Sequence, residues 1–511
     1  MAALPDVDLT RNVADLVADA ARTCGGRPAL VDASTGVTLT WTEVDTEANQ
    51  RARRLAEAGM HPGDRVAVRL PTGIPYCLTV FGVLRAGGVL VPLSTDLPPA
   101  GVVELLADCQ ASVFVGDPVP GVEVTTMLAA DGTGDRTGDA EPVTPVAGGE
   151  DLAVLCYTSG TSGRQRGVLL SHRALLANVA QCAALTPPPV TATDRVLLSL
   201  PLSHAYGLGP GLFQVAAAGA TGVLLPRFTA DDALTAIRTY RVTALVGVPQ
   251  MYSALLTVTD ERLHEDLATV RLFTSGAAPL PPAVLAGIQR VTGLPVYEGY
   301  GLTETAPVLT STLVSGHAKP GSVGRPLPGV ELRLVDSDGD PLPGPDADDE
   351  LDDETGGTGQ VAVSGPNLFS GYWPDGAHGP DADGWFRTGD IGYLDADGDL
   401  HLVDRANDLI IVNGFNVYPH EVEHVIGQLA GVVEAAAVGV PDERTGETVK
   451  AVVIRRPDAG LTAEQVIEHC GHLLARFKVP TSVEFVDSLP HSATGKLARA
   501  ALRLGWPSVS G

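Results

Sequence analysis

Over the first four hundred residues or so, short runs of apolar, mostly β-branched positions alternate with stretches whose apolar residues recur at helical spacing. The spacing predicts helices over 42–58 and 74–86 beside strands at 65–70 and 89–92. The rhythm returns with a helix over 233–240, strands at 244–248, 272–275 and 296–299, and a helix over 281–292. Such alternation implies parallel sheets, because parallel neighbours need a crossover long enough to hold a helix. From 321 to about 403, Gly, Pro and Asp punctuate short strands such as 331–335 and 360–363, the pattern of a small β-rich subdomain. Beyond 404 a helix over 419–429, strands at 432–440 and 449–455, a helix over 463–474 and a strand at 482–486 read as α+β. The expected fold class is α/β. A large N-terminal domain over 1–403 holds two parallel-type sheets and the β-rich subdomain, 404–408 forms a hinge, and 409–511 forms a small C-terminal domain.

Composition narrows the partners. With 511 residues, 44% of them apolar, the chain can bury more than one core. A formal net charge of -27, from 61 acidic and 34 basic side chains, repels nucleic acid and anionic lipid surfaces. The acidic run 336–354 reads as a solvated loop without chemistry. Six scattered cysteines without C-x-x-C spacing suggest free thiols in a reducing compartment. Asp6, Asp8 and Asp15 interrupt what a signal peptide would need, so a cytoplasmic location is expected. Between 196 and 226 there is no acidic or basic side chain apart from His204, yet Pro201, Pro210 and five glycines break a spanning helix. That stretch reads as buried strand, loop, helix and strand, with no transmembrane segment expected.

The segment 157–167, YTSGTSGRQRG, combines hydroxyls, glycines and the cations Arg164 and Arg166. Glycines let backbone N–H groups converge on an anion, hydroxyls add donors, and a cation offsets polyphosphate charge. It lacks the lysine of the Walker pattern. A Ser/Gly-rich surface turn has the same composition, and composition alone leaves both readings open.

An ordered set of motifs follows it: PLSHAYGLG (201–209), SGAAPL (275–280), YEGYGLTET (297–305), GSVGRPLPG (321–329), NLFSGYW (367–373), GWFRTGDIGYLDADGDLHLVDRANDLIIVNGFNVYPHEVE (384–423) and LPHSATGKLAR (489–499). Together with the loop they resemble the adenylate-forming superfamily of acyl-CoA synthetases, firefly luciferase and nonribosomal peptide synthetase adenylation domains. The resemblance spans nearly the whole chain, and the motifs are closest to fatty acyl-CoA synthetases.

The resemblance implies roles for individual residues. Thr158, Ser159, Gly160, Thr161, Ser162, Gly163 and Arg166 would cradle the phosphates of ATP. Tyr300 would stack on adenine beside Glu298, Gly299 and Gly301, and Gly276, Ala277 and Ala278 would line the adenine and acyl pockets. Thr303 would bond the α-phosphate, while Glu304 and Thr158 would hold Mg2+, a hard cation that takes oxygen ligands. Asp390 would accept both ribose hydroxyls and Arg405 would reach the nucleotide. His204 would gate the acyl pocket, and Lys496 would hold the carboxylate and α-phosphate during adenylation. Gly414, Phe415 and Asn416 would shape the thiol tunnel once the mobile C-terminal domain has rotated. The run DADGD at 395–399 lacks calcium-loop spacing and reads as a tight hairpin turn.

Three positions depart from the family pattern. Arg166 stands where lysine is usual, Asn407 where the hinge carries Asp or Lys, and Gln360 where glutamate is common. The implied function is an AMP-forming acyl-CoA synthetase that uses ATP, Mg2+ and coenzyme A on an aliphatic or fatty acid. No acidic residue lies within 201–209 to hold an amino group, which disfavours amino acids. Two alternatives stay open: an enzyme that loads an acyl carrier protein's phosphopantetheine, and a catalytically impaired nucleotide-binding protein.

Overall fold

The computed structural model describes residues 7–127, 142–159, 165–342, 357–405, 408–412, 415–442, 444–457, 459–491, 497 and 499–503. They gather into two compact units. The larger takes the described residues of Met1–Ser159, Gln165–Leu332 and Val363–Phe386, and the smaller those of Arg333–Ala362 and Arg387–Gly511.

Two mostly parallel sheets organise the larger unit. One has nine strands, with Val296–Gly301, Leu272–Ser275, Ala244–Gly247, Arg195–Leu198, Thr221–Leu224 and Pro28–Asp32 running parallel in that spatial order and short antiparallel strands at both edges. The other has six, with Arg65–Arg69 between Val89–Pro92 and Val113–Gly116, and the hairpin of Leu152–Ser159 and Gln165–Ser171 beyond Val89–Pro92. Val89–Pro92, Val113–Gly116 and Ala244–Gly247 are buried throughout, as strands covered on both faces must be.

Local chemistry sets the helix boundaries. The helix expected over 42–58 runs Trp41–Glu57 because Thr40 caps it: Glu43 N–H donates to Thr40 Oγ1 at 3.3 Å, and Glu43 Oε2 accepts from Thr40 N–H at 2.7 Å. Its face of Trp41, Val44, Ala48, Ala52 and Leu55 is buried. Ala230–Tyr240, Tyr252, Phe273 and Ile288 supply a second core. The apolar stretch 196–226 resolves into a strand Arg195–Leu198, a wide-turn helix Gly207–Phe213 continuing as Gln214–Ala218, and a strand Thr221–Leu224. Among the described residues no helix is long and apolar enough to cross a membrane.

A four-stranded sheet in the order Glu331–Val335, Gly359–Ser364, Phe386–Leu394, Leu400–Arg405 forms the β-rich stretch expected between 321 and 403. Within the smaller unit, Gly446–Arg455 lies between Val432–Asp442 and Ile410–Val412 and also pairs with Ser482–Phe485. Helices Pro419–Gly427 and Ala463–Leu473 cover it through Val422, Val425, Ile426, Val466 and Cys470. The DADGD run is a tight turn. Asp395 Oδ1 accepts from the N–H groups of Asp397 and Asp399 at 3.0 Å each, and Asp395 Oδ2 lies 2.7 Å from His401 Nε2. All six cysteines are free, and all but Cys24 are buried.

Candidate active site

The segment 157–167 is for the most part hairpin. Tyr157, Thr158 and Ser159 end one strand, and Gln165, Arg166 and Gly167 open its antiparallel partner, with Thr158 opposite Arg166. The buried run Ala153–Cys156 anchors the first strand, and Tyr157 OH donates to the Asp108 carboxylate. Thr158 Oγ1 donates to the Arg166 carbonyl at 3.5 Å, which keeps its hydroxyl at the exposed end of the ladder. Gly160, Thr161, Ser162 and Gly163 lie outside the described residues.

Adjacent parallel strands bring SGAAPL and YEGYGLTET together. Leu272–Ser275 and Val296–Gly301 pair in register, Ser275 beside Glu298; SGAAPL leaves the first strand at its carboxyl end and YEGYGLTET runs along the second and past its carboxyl end, where open α/β sheets bind ligands. Two backbone positions there are sterically exacting. A Cβ on Gly301 would fall 1.8 Å from the Pro307 carbonyl oxygen, and one on Gly276 would fall 2.9 Å from the Tyr206 ring. Ala277 holds φ at 68°, so the chain turns sharply at the strand end. Gly299 and Tyr300 lie opposite Ser311 and Thr310, and Ala278 follows the turn. His204 lies three residues before the wide-turn helix on the same unit, its Nδ1 accepting from Tyr206 N–H at 3.2 Å.

Glu298 is 7% exposed, and its Oε1 accepts from Leu280 N–H at 3.1 Å. Burial pushes its carboxyl up to about 8, against one opposing hydrogen bond. A carboxyl raised on folding contributes stability that is complete below its unfolded pKa and is lost as pH rises towards about 8. Glu298→Gln keeps the acceptor without the titration. The variant is expected to be more stable than the parent by a margin that widens from pH 5 to pH 8, on the order of 3 kcal/mol near neutrality, and to melt at correspondingly higher temperature. Parallel pH profiles for the two proteins in thermal unfolding would remove the assignment.

The short helical turn Thr303–Thr305 follows, braced by Leu302 N–H on Thr305 Oγ1 at 3.0 Å. The NLFSGYW segment packs along it and along the hairpin. Phe369 N–H donates to the Glu304 carbonyl at 2.9 Å, Ser370 N–H to Leu169 O at 2.8 Å, and Trp373 N–H to Gly167 O at 2.8 Å. This lacing carries Tyr372, which the sequence motifs left without a role, into the site. Its hydroxyl donates to Glu304 Oε1 at 2.7 Å, and the Arg166 guanidinium carbon sits 3.7 Å from its ring centroid. Arg166, Tyr372 and Glu304 thus form one connected group, with Thr158 across the hairpin from Arg166.

In the smaller unit Asp390 is 7% exposed, on a strand where it lies opposite Arg405. Its N–H donates to Thr388 Oγ1 at 3.1 Å, and Thr388 Oγ1 donates to Val361 O at 3.0 Å. Phe415 opens the strand Phe415–Val417, which includes Asn416; its ring is exposed and stacks on Phe477 at 4.8 Å. Arg499 ties the C-terminal segment to Glu423, Nη2 to Oε2 at 2.7 Å. Lys496, Gly414 and Asn407 lie outside the described residues.

Two mostly parallel α/β sheets in one unit and a small α+β unit are the architecture that the resemblance to adenylate-forming enzymes implies. The AMP-binding enzyme family profile matches residues 17–373 and the AMP-binding enzyme C-terminal domain profile residues 421–496, so the chain belongs to this family. A feruloyl-CoA synthase of Amycolatopsis sp is 36% identical over 477 residues, 92% of this chain and 94% of that protein. A long-chain-fatty-acid–CoA ligase of Yersinia pestis is 33% identical over 549 residues, 98% and 95% of the two chains. The crystal structure of ATP-bound MatB from Rhodopseudomonas palustris is similar at a TM-score of 0.87 and 34% identity, covering 97% of this chain and 99% of that one. The protein is an AMP-forming acid–CoA ligase that uses ATP.

Proposed function

We propose that the acid is aliphatic and that the residues singled out above carry the two half-reactions. What supports the substrate class is the stretch that carries His204: Leu197, Leu198, Leu200, Leu202 and Val246 pack beside it as buried apolar residues, and no acidic or basic side chain other than His204 lies between 196 and 226. Apolar surroundings favour an apolar acyl group and offer no partner for a second charge on the acid.

In the first half-reaction the carboxylate oxygen attacks the α-phosphorus in line, the bond to the β-phosphate oxygen breaks, and pyrophosphate leaves. Thr303 donates to the α-phosphate where charge builds up, and Lys496 offsets the repulsion between the two anions. Tyr300, Asp390 and Arg405 hold the nucleoside, with Gly276, Ala277, Ala278, Glu298, Gly299 and Gly301 around it. Thr158, Ser159, Gly160, Thr161, Ser162 and Gly163, with Arg166, hold the phosphates. The Glu304 carboxylate and Thr158 hydroxyl are donors of the kind a hard divalent cation takes, so Mg2+ fits this corner and, when bound, neutralises phosphate charge. In the second half-reaction the thiolate of coenzyme A attacks the acyl carbon and AMP departs, with Gly414, Phe415 and Asn416 guiding the thiol and residues 404–408 acting as hinge. His204 guards the acyl entrance.

The test is a panel of straight-chain acids of graded length set against hydroxycinnamic acids, with ATP, Mg2+ and coenzyme A, read as acyl-CoA by chromatography. Straight-chain acids are expected to give the higher kcat/KM. The reverse order would replace the aliphatic reading with the aromatic one that the feruloyl-CoA synthase likeness favours.

A further inference from the structure

Arg166 and Glu304 approach the same aromatic side chain from different directions, one at its face and one at its hydroxyl. The two contacts use separate parts of Tyr372, so neither displaces the other. We propose that Tyr372 is a positioning residue for nucleotide binding: its hydroxyl fixes the carboxylate of Glu304 for the metal, and its ring fixes the guanidinium of Arg166 for the phosphates. The inference rests on the reading of Glu304 and Arg166 given above.

A glutamate side chain has three rotatable bonds, and an isolated carboxylate on a short turn samples several directions. The Tyr372 hydroxyl ties down Oε1 and leaves the other oxygen to face a cation. The tyrosine is itself held. Its N–H donates to Ala377 O at 3.0 Å, its ring meets Phe369 edge-on at 5.0 Å, and its backbone bridges Val168 in the same strand as Arg166. Orientation therefore passes from the hairpin through Tyr372 to Glu304.

The ring face explains why arginine suits position 166. With its carbon 3.7 Å over the ring centroid, the Arg166 guanidinium gains a cation–π contact and still carries N–H donors for phosphate oxygens. An ammonium in the same place gains less from the ring. Arginine and Tyr372 are thus matched, and a lysine at 166 would lose the fixed direction while keeping the charge.

The experiment is a set of equilibrium titrations of the full chain with ATP, with and without Mg2+, by calorimetry, on Tyr372→Phe, Tyr372→Leu, Arg166→Lys and the double variant Arg166→Lys/Tyr372→Leu. Melting temperatures serve as the folding control. Tyr372→Phe keeps the ring and is expected to bind metal-free ATP as the parent does, while needing about tenfold more Mg2+ to reach the tight complex. Arg166→Lys is expected to weaken metal-free ATP binding about threefold in the parent and to change nothing further in the Tyr372→Leu background. An unchanged Mg2+ requirement in Tyr372→Phe overturns the hydroxyl's role, and an equal Arg166→Lys effect in both backgrounds overturns the ring's. Glu304→Gln separates this from failure of the underlying reading. If it leaves the Mg2+ requirement intact, Glu304 is no metal ligand; if it raises the requirement while Tyr372→Phe does not, the positioning role alone falls.

Discussion

Lys496→Ala is expected to lower acid-dependent pyrophosphate release about a thousandfold while changing thioester formation from a supplied acyl-adenylate less than about tenfold. The asymmetry follows from charge. In the first half-reaction a carboxylate must approach a phosphate ester, and the developing negative charge on the α-phosphate raises the barrier unless a cation stands beside it. In the second, a thiolate attacks an acyl carbon already activated by AMP as leaving group, and the carboxylate charge is gone. Rapid-quench assays of each half-reaction, started from ATP plus acid or from synthetic acyl-adenylate plus coenzyme A, separate the two rates. Equal losses in both would assign Lys496 a structural role.

Glu304→Gln is expected to have the next largest effect. The substitution preserves shape and an acceptor for the Tyr372 hydroxyl, and the backbone bond from Phe369 N–H to the Glu304 carbonyl is untouched. What disappears is the negative charge of the oxygen proposed to bind the metal. Pyrophosphate release is expected to fall about a hundredfold, on the order of 3 kcal/mol of transition-state stabilisation, and to recover partly as Mg2+ is raised. Steady-state rates across a Mg2+ series read this directly. A loss that Mg2+ leaves untouched would mean that Glu304 acts through something other than the metal.

Much of the fold could be read from local patterns. The strands at 89–92, 272–275 and 331–335 occur with those bounds because each is a short apolar or alternating run closed by turn residues. Helix ends shifted where a cap decided them, as when Thr40 started the helix one residue before the apolar spacing did. Nonlocal contacts were not legible. Tyr372 lies 68 residues from Glu304, and only the lacing of NLFSGYW along the hairpin makes them neighbours. Arg166 could be recognised as a departure from lysine, but its reason is an aromatic face supplied by that distant segment. The burial of Glu298 was equally hidden, since its neighbours in sequence are glycine and tyrosine and its burial comes from the adjoining strand and the SGAAPL turn.

The central claim is that this chain makes an acyl-adenylate and then passes the acyl group to a thiol. Incubation with ATP, Mg2+ and a straight-chain acid, first without and then with coenzyme A, tests it most directly, with pyrophosphate, AMP and acyl-CoA followed together. The expected result is a burst of pyrophosphate near one equivalent per enzyme without coenzyme A, followed on its addition by AMP and acyl-CoA in equal amounts. ATP binding without acid-dependent pyrophosphate release from any acid in the panel would contradict it.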